Sequence, residues 1–172
     1  MNKKKCLSSL IAYGVLDMLH KFLIILIFLV GCTKTTQESP QKVLTTYVSS
    51  SFAINSISDK NKLIGLTTGE VREALEKLDE DSFKNYFIDS KKEFLSLKIK
   101  DERKLSDVRY SITYEITYIS KSSLPSALGG GQTTDKVTNK KHALFTNQAG
   151  RWFISEVKNL KTFIEHQNEL TF

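Results

Sequence analysis

The chain has 172 residues, 40% of them hydrophobic and 26% charged, with a formal net charge of +6. That length suits one domain, and that composition excludes a chain disordered throughout. The positive charge gathers at the front: Lys3, Lys4, Lys5 and Lys21, against Asp17 alone, precede Cys32, and from Cys32 onward 21 basic residues face 18 acidic ones, a net of +3, too weak a balance to indicate nucleic acid as a partner.

The stretch MLHKFLIILIFLVGCTK, Met18 to Lys34, contains nine consecutive apolar residues, Phe22 to Val30. A helix crossing a bilayer core needs about 20. Extending the stretch backward would bury Asp17 and Lys21, each at a cost of roughly 2.5–3.5 kcal/mol. A short apolar core behind a positive flank is the pattern of a secretory signal. Its end, Leu29-Val30-Gly31-Cys32, resembles the lipobox of bacterial lipoproteins at all four positions. The resemblance implies a diacylglyceryl group on the Cys32 thiol, cleavage before Cys32, and acylation of the new amine by a palmitate-type chain. One acyl chain anchors a protein marginally, at about 0.8 kcal/mol per buried methylene, and two or more anchor it stably. Residues 1–31 are therefore read as a signal peptide, with Met18 predicted as the initiator because MLHKFLIILIFLVG is a complete signal by itself. Cys6 lies upstream of the cut, so Cys32 is the sole cysteine left and no internal disulfide is available. The resemblance implies a cell membrane or outer membrane location, lipid-anchored, with the domain on the non-cytoplasmic side, the periplasm in a Gram-negative cell. Thr33, where an Asp would imply inner-membrane retention, favours the outer membrane.

Residues 32–39 are polar and read as a tether, and 40–172 as a single domain. Ser39 and Pro40 are an N-cap and a first helical residue, followed by Val43, Leu44, Tyr47, Val48 and Phe52 on one face. SDKNKLIGL is a short second helix or a turn. In TTGEVREALEKL, Thr67 and Glu70 have capping-box spacing, and Val71, Ala74, Leu75 and Leu78 form the apolar stripe. DEDSFKNYF starts another helix, its acids serving as caps. From Phe94 the period becomes two, with Leu95, Leu97 and Ile99 on one side. In VRYSITYEITYI, Val108, Tyr110, Ile112, Tyr114, Ile116 and Tyr118 are predicted to face the helices, and Arg109 to Thr117 to face water. KSSLPSALGGGQTTD reads as a long loop, KVTNKKHALFT and RWFISEV as a hairpin about NQAG, and the tail as a strand that runs on a few residues and frays.

Helices followed by about four antiparallel strands make an α+β domain. The order resembles the NTF2-like (cystatin-like) superfamily, carried by SPQKVLTTYV, LTTGEVREALEKL, SFKNYF and NQAGRWFISEV. That resemblance implies a cone, with the helices lying in the hollow of a curved sheet, a space that some members use for ligands and others fill.

Chemistry is sparse. Enzymes of that superfamily place an Asp and often a His in the cone, and this chain offers neither in an obvious pair. His142, on the phase of Leu144, either points into the cone or is a half-exposed histidine of the sheet, and Tyr110, Tyr114 and Tyr118 form a stripe that either lines a pocket or fills a core. Lys98, Lys100, Lys140 and Lys141 are candidates for a basic patch on the open face. Zinc spacings, phosphate loops and serine-nucleophile motifs do not occur, so no metal, cofactor or catalytic residue is assigned. Two functions remain open: a non-enzymatic docking module for another envelope protein or a second copy of itself, or a small-molecule binder or lyase-like enzyme using the cone. A space occupied by Phe83, Phe87, Tyr110 and Tyr114 would favour the first, and an open one with polar walls the second.

Overall fold

The computed structural model describes residues 38–90, 92–124 and 131–167. The signal segment, the Met18 start, Cys32 and the front of the tether lie outside these residues, as does the chain beyond Gln167. The described residues are α+β: four α-helices, then four antiparallel strands in one open sheet of order β1-β2-β3-β4. They fall within one compact unit, Gln37–Phe172.

Helix α1, Pro40–Phe52, starts as its sequence indicates. The Ser39 hydroxyl accepts from the Lys42 amide at 3.3 Å, and Pro40 occupies the first turn. Val43, Leu44 and Val48 are buried, with Tyr47 and Phe52 packed beside them. A 3₁₀ turn, Ile57–Asp59, leads into the short α2, Lys60–Ile64. Asp59 closes this corner by accepting from the Asn55 and Ser56 amides and from the Lys62 ammonium, which together hold its carboxyl far below the usual carboxylate range.

Helix α3, Gly69–Lys77, departs from the expected capping box: Thr68 occupies the N-cap without a side-chain cap bond. Thr67 is buried and pairs with Ile154 instead, its hydroxyl donating to the Ile64 carbonyl. Two backbone bonds clip the helix start to the sheet, Thr68 amide to Ile154 carbonyl at 2.9 Å and Ile154 amide to Leu66 carbonyl at 3.0 Å. Only Leu75 of the expected stripe is fully buried, and Ala74 is exposed. Helix α4, Glu80–Phe83, is capped by Asp79, which accepts from the Ser82 amide at 2.7 Å. It widens into a π-helical turn, Lys84–Ile88. Phe83 packs with Ile54, Leu63 and Leu75 in a core among the helices.

The strands are long: β1 Lys92–Lys104, β2 Arg109–Leu124, β3 Gly131–Gln148 and β4 Arg151–Gln167. The expected long loop is thus narrower than its composition suggests, because β2 and β3 pair up to Leu124 and Gly131, with 125–130 outside the described residues. On β2 the predicted alternation is present, with Ile112, Tyr114 and Ile116 buried under α1, although Val108 is exposed. The outer face pairs polar groups: Thr117 with Thr138, and Lys100 with Glu115 at 2.9 Å.

β1 departs from a simple alternation. Its register against β2 shifts between Phe94 and Ser96 and again between Ile99 and Asp101. Each shift inserts an unpaired residue and reverses the facing beyond it. Phe94 therefore meets Tyr118 and packs on Phe52, while Leu95, expected on the core side, is 46% exposed. β4 carries two further shifts, opposite Leu144/Phe145 and Lys140/Lys141. The β3–β4 hairpin turns on Ala149 and Gly150, both at positive φ, as a two-residue primed turn requires.

Candidate functional site

On the helix side a cleft of about 230 Å³ opens between α1, the π turn and the sheet. Its walls are built from three directions. α1 contributes Tyr47, Ser51 and Phe52, each one turn or less from the next. The π turn contributes Tyr86 and Phe87, the Phe87 ring lying 4.8 Å from that of Phe83 so that it joins the cleft wall to the helical core. The floor is the sheet, where the β2–β3 register sets Tyr114 beside Lys141 and Ile116 beside Asn139.

The charged groups of the cleft are two lysines, set among hydroxyls and one amide. Lys141 is half-buried on the floor, and Lys92 stands more exposed at the first residue of β1. Burial lowers the pKa of both ammonium groups, and the charge of Lys92 lowers that of Lys141 further. Neither forms an ion pair with a carboxylate among the described residues; the Lys92 ammonium donates to the Tyr86 carbonyl at 3.4 Å and stands 6.0 Å from the centre of the Tyr118 ring. Burial raises the pKa of the Tyr47 and Tyr114 hydroxyls, so both stay protonated at neutral pH.

Tyr118 is held by a relay from β4. The Asn159 amide donates to the Thr162 hydroxyl at 2.9 Å, and that hydroxyl donates to Asn139 Oδ1 at 2.7 Å. Asn139 Nδ2 then donates to the Tyr118 oxygen at 3.3 Å. With its oxygen engaged as acceptor, the Tyr118 proton is left to donate into the cleft. Among the described residues no carboxylate and no histidine lines this space.

The four residues singled out for a pocket are dispersed. Tyr114 and Tyr118 line the cleft. Tyr110 lies toward the opposite end of β2, donating to Glu102 at 3.1 Å, with its ring 6.1 Å from Trp152. His142 is on the other face of the sheet, its Nδ1 3.1 Å from the Thr113 hydroxyl. The face-setting residues of β3 are Ala143 and Phe145, which are buried in the core under α1, with buried Val137 in the same phase; His142 and Leu144 alternate with them and point away, and Lys141 shares their side. Lys141 therefore leaves the expected basic patch, and Lys100 is neutralised by Glu115. Cys32 lies outside the described residues. Lys92, Lys141 and Asn139 are the cleft residues that the sequence reading missed as such. The available signal was the phase of β3, where Asn139 and Lys141 interrupt an otherwise apolar set.

No protein-family model matches the chain, and no curated protein does. Among solved structures it is similar to the solution structure of a SEC-C motif containing protein from Rhodopseudomonas palustris. The identity is 18%, over 72% of this chain and 80% of that one, with a TM-score of 0.48. A likeness of that degree transfers neither ligand nor activity, so the function rests on the cleft itself.

Among the described residues no helix is long and apolar enough to cross a membrane, and no three His, Cys, Asp or Glu side chains gather around a point that could hold a metal.

Proposed function

We propose that this chain is a lipid-anchored cell-envelope protein whose NTF2-like domain is a non-enzymatic binding module for a small molecule. The observation that carries the reading is the open cleft. Phe83 packs away from it, Tyr110 is engaged elsewhere, and Phe87 and Tyr114 form its walls without closing it. An unfilled space with a few convergent polar groups between helices and sheet is what a binder needs and a filled docking face lacks. The want of a carboxylate or histidine in its walls supports binding over proton-transfer catalysis. The four register shifts support a curved sheet of the NTF2-like kind, since each bulge bends its strand. The lipobox-like Leu29-Val30-Gly31-Cys32 supports the anchor, which would leave the domain tethered to the membrane surface through a short polar segment.

The reading is tested by a thermal-shift screen of small polar and aromatic compounds against the full-length chain in nonionic detergent. Hits are then repeated on Ser51→Phe, which fills the cleft from α1. The expected result is a set of compounds that raise the unfolding midpoint of the parent and leave that of the folded variant unchanged. Equal shifts in both proteins would place binding elsewhere and overturn the reading.

A further inference from the structure

We propose that the ligand of the cleft is a small organic anion, a carboxylate on a flat apolar body, with its charged group between Lys141 and Lys92. The proposal rests on the reading of the cleft as a binding site and names the class of ligand it takes.

Three observations lead to it. The first is uncompensated charge. Two ammonium groups share one cleft, and among the described residues no acid stands in its walls. Placing Lys141 on the helix side of β3, in the phase of Val137, Ala143 and Phe145, is costly, because a half-buried cation loses hydration and, among the described residues, pairs with no carboxylate. An anion entering the cleft supplies that partner to both lysines at once, and a pair formed out of bulk water is stronger than the same pair on an open surface.

The second is the direction of the neutral groups. The Asn159–Thr162–Asn139 relay fixes the acceptor side of Tyr118 and leaves its proton facing the cleft. Three strands thus hold one hydroxyl in a donor role before any ligand arrives. The only full charges among the described wall residues are those of the two lysines, so an anion meets attraction here and a cation meets repulsion.

The third is shape. A space of about 230 Å³ corresponds to about eight waters at liquid density, the size of a small ring bearing one acidic group. Phe52, Phe87 and the Tyr118 ring give it aromatic walls. A fully hydrated inorganic anion would leave those walls unused, whereas a flat organic body covers them.

The test is isothermal titration calorimetry of the full-length chain with benzoate, its neutral isostere benzamide and inorganic phosphate. The expected order is benzoate ahead of benzamide by about tenfold in affinity, the scale of a hydrogen-bonded charge, with phosphate weaker than benzoate. Lys141→Met should lose that advantage while remaining folded. Thr162→Val leaves both lysines in place and cuts the relay; it should weaken benzoate by about threefold, the scale of one neutral hydrogen bond. Equal binding of benzoate and benzamide, or undiminished benzoate binding by Lys141→Met, would overturn the anionic class while leaving a binding cleft. Phosphate binding as tightly as benzoate would overturn the organic body. No heat from any probe, charged or neutral, would overturn both this proposal and the reading of the cleft beneath it.

Discussion

At the scale of the residue, Lys141 carries the clearest cost. Burial and the nearby Lys92 lower its pKa, so the unfolded chain binds this proton more readily than the folded one. Its contribution to stability therefore rises with pH, from the lowered folded value up to the ordinary value of about 10.4. Lys141→Met should accordingly unfold a few degrees higher than the parent at neutral pH, and scanning calorimetry should find the gap closing as the pH approaches that of free lysine. A variant that unfolds lower at neutral pH would show that the lysine has a compensating partner. Asp59 has the opposite sign. Its carboxyl is held far down by Lys62 and by the Asn55 and Ser56 amides, so its contribution is complete above the ordinary carboxylate range and fades as the pH falls toward the lowered value. Asp59→Ala should lower the unfolding midpoint at neutral pH and lessen its fall on acidification. Individual residues were unevenly legible. Ser39, Pro40 and the Asp79 cap follow from local chemistry. Lys141 did not stand out, because beside Lys140 in NKKH it reads as half of a basic pair; the two face opposite sides of the sheet.

At the scale of the element, turns and bulges decide what the alternation alone could not. The β3–β4 turn needs positive φ at two successive residues, and Ala149 supplies the first at φ 49°. For an alanine this region costs about 1–2 kcal/mol. Ala149→Asn, giving Asn-Gly in a primed turn, should stabilise the domain by about 1 kcal/mol, measured by denaturant unfolding. Gly69 is the contrasting case. It has φ 54°, and a Cβ there would stand 3.2 Å from the Ser155 carbonyl oxygen. Gly69→Ala should cost about 1–3 kcal/mol, since backbone strain and a contact against the bulge of β4 act together. The sequence showed the strands but not their bulges. A bulge adds one residue without a consistent composition signal, so Leu95 was expected inward and Phe94 was not. The same bulges return Val157 to the core after Ile154 and carry Thr162 to the side of Asn139, building the relay behind Tyr118. The face of His142 followed from taking Leu144 as the inward marker on β3, whereas Ala143 and Phe145 are the residues that pack under α1.

At the scale of the whole molecule, the α+β order was legible because periods of 3.6 and 2 occupy separate parts of the chain. The cleft was legible only as an alternative to a filled core, since whether aromatic side chains line or fill a space depends on where helices end. Here α1 stops at Phe52, Phe87 stays packed on Phe83, and Tyr86 stands exposed at the rim. The proposed anchor belongs to the same scale. Cys32→Ser should abolish incorporation of an alkyne-bearing fatty acid and move the chain out of the membrane fraction, and persistence of either would contradict a lipid on that thiol. The central claim, an open cleft that holds a small organic anion against two lysines, is tested most directly by a crystal structure of the chain grown with benzoate. The account predicts the carboxylate bound by Lys141 and Lys92, with the Tyr118 hydroxyl donating to it and the ring against Phe52. A cleft closed by its own tyrosines, or Lys141 turned to a protein carboxylate with benzoate absent, would contradict it.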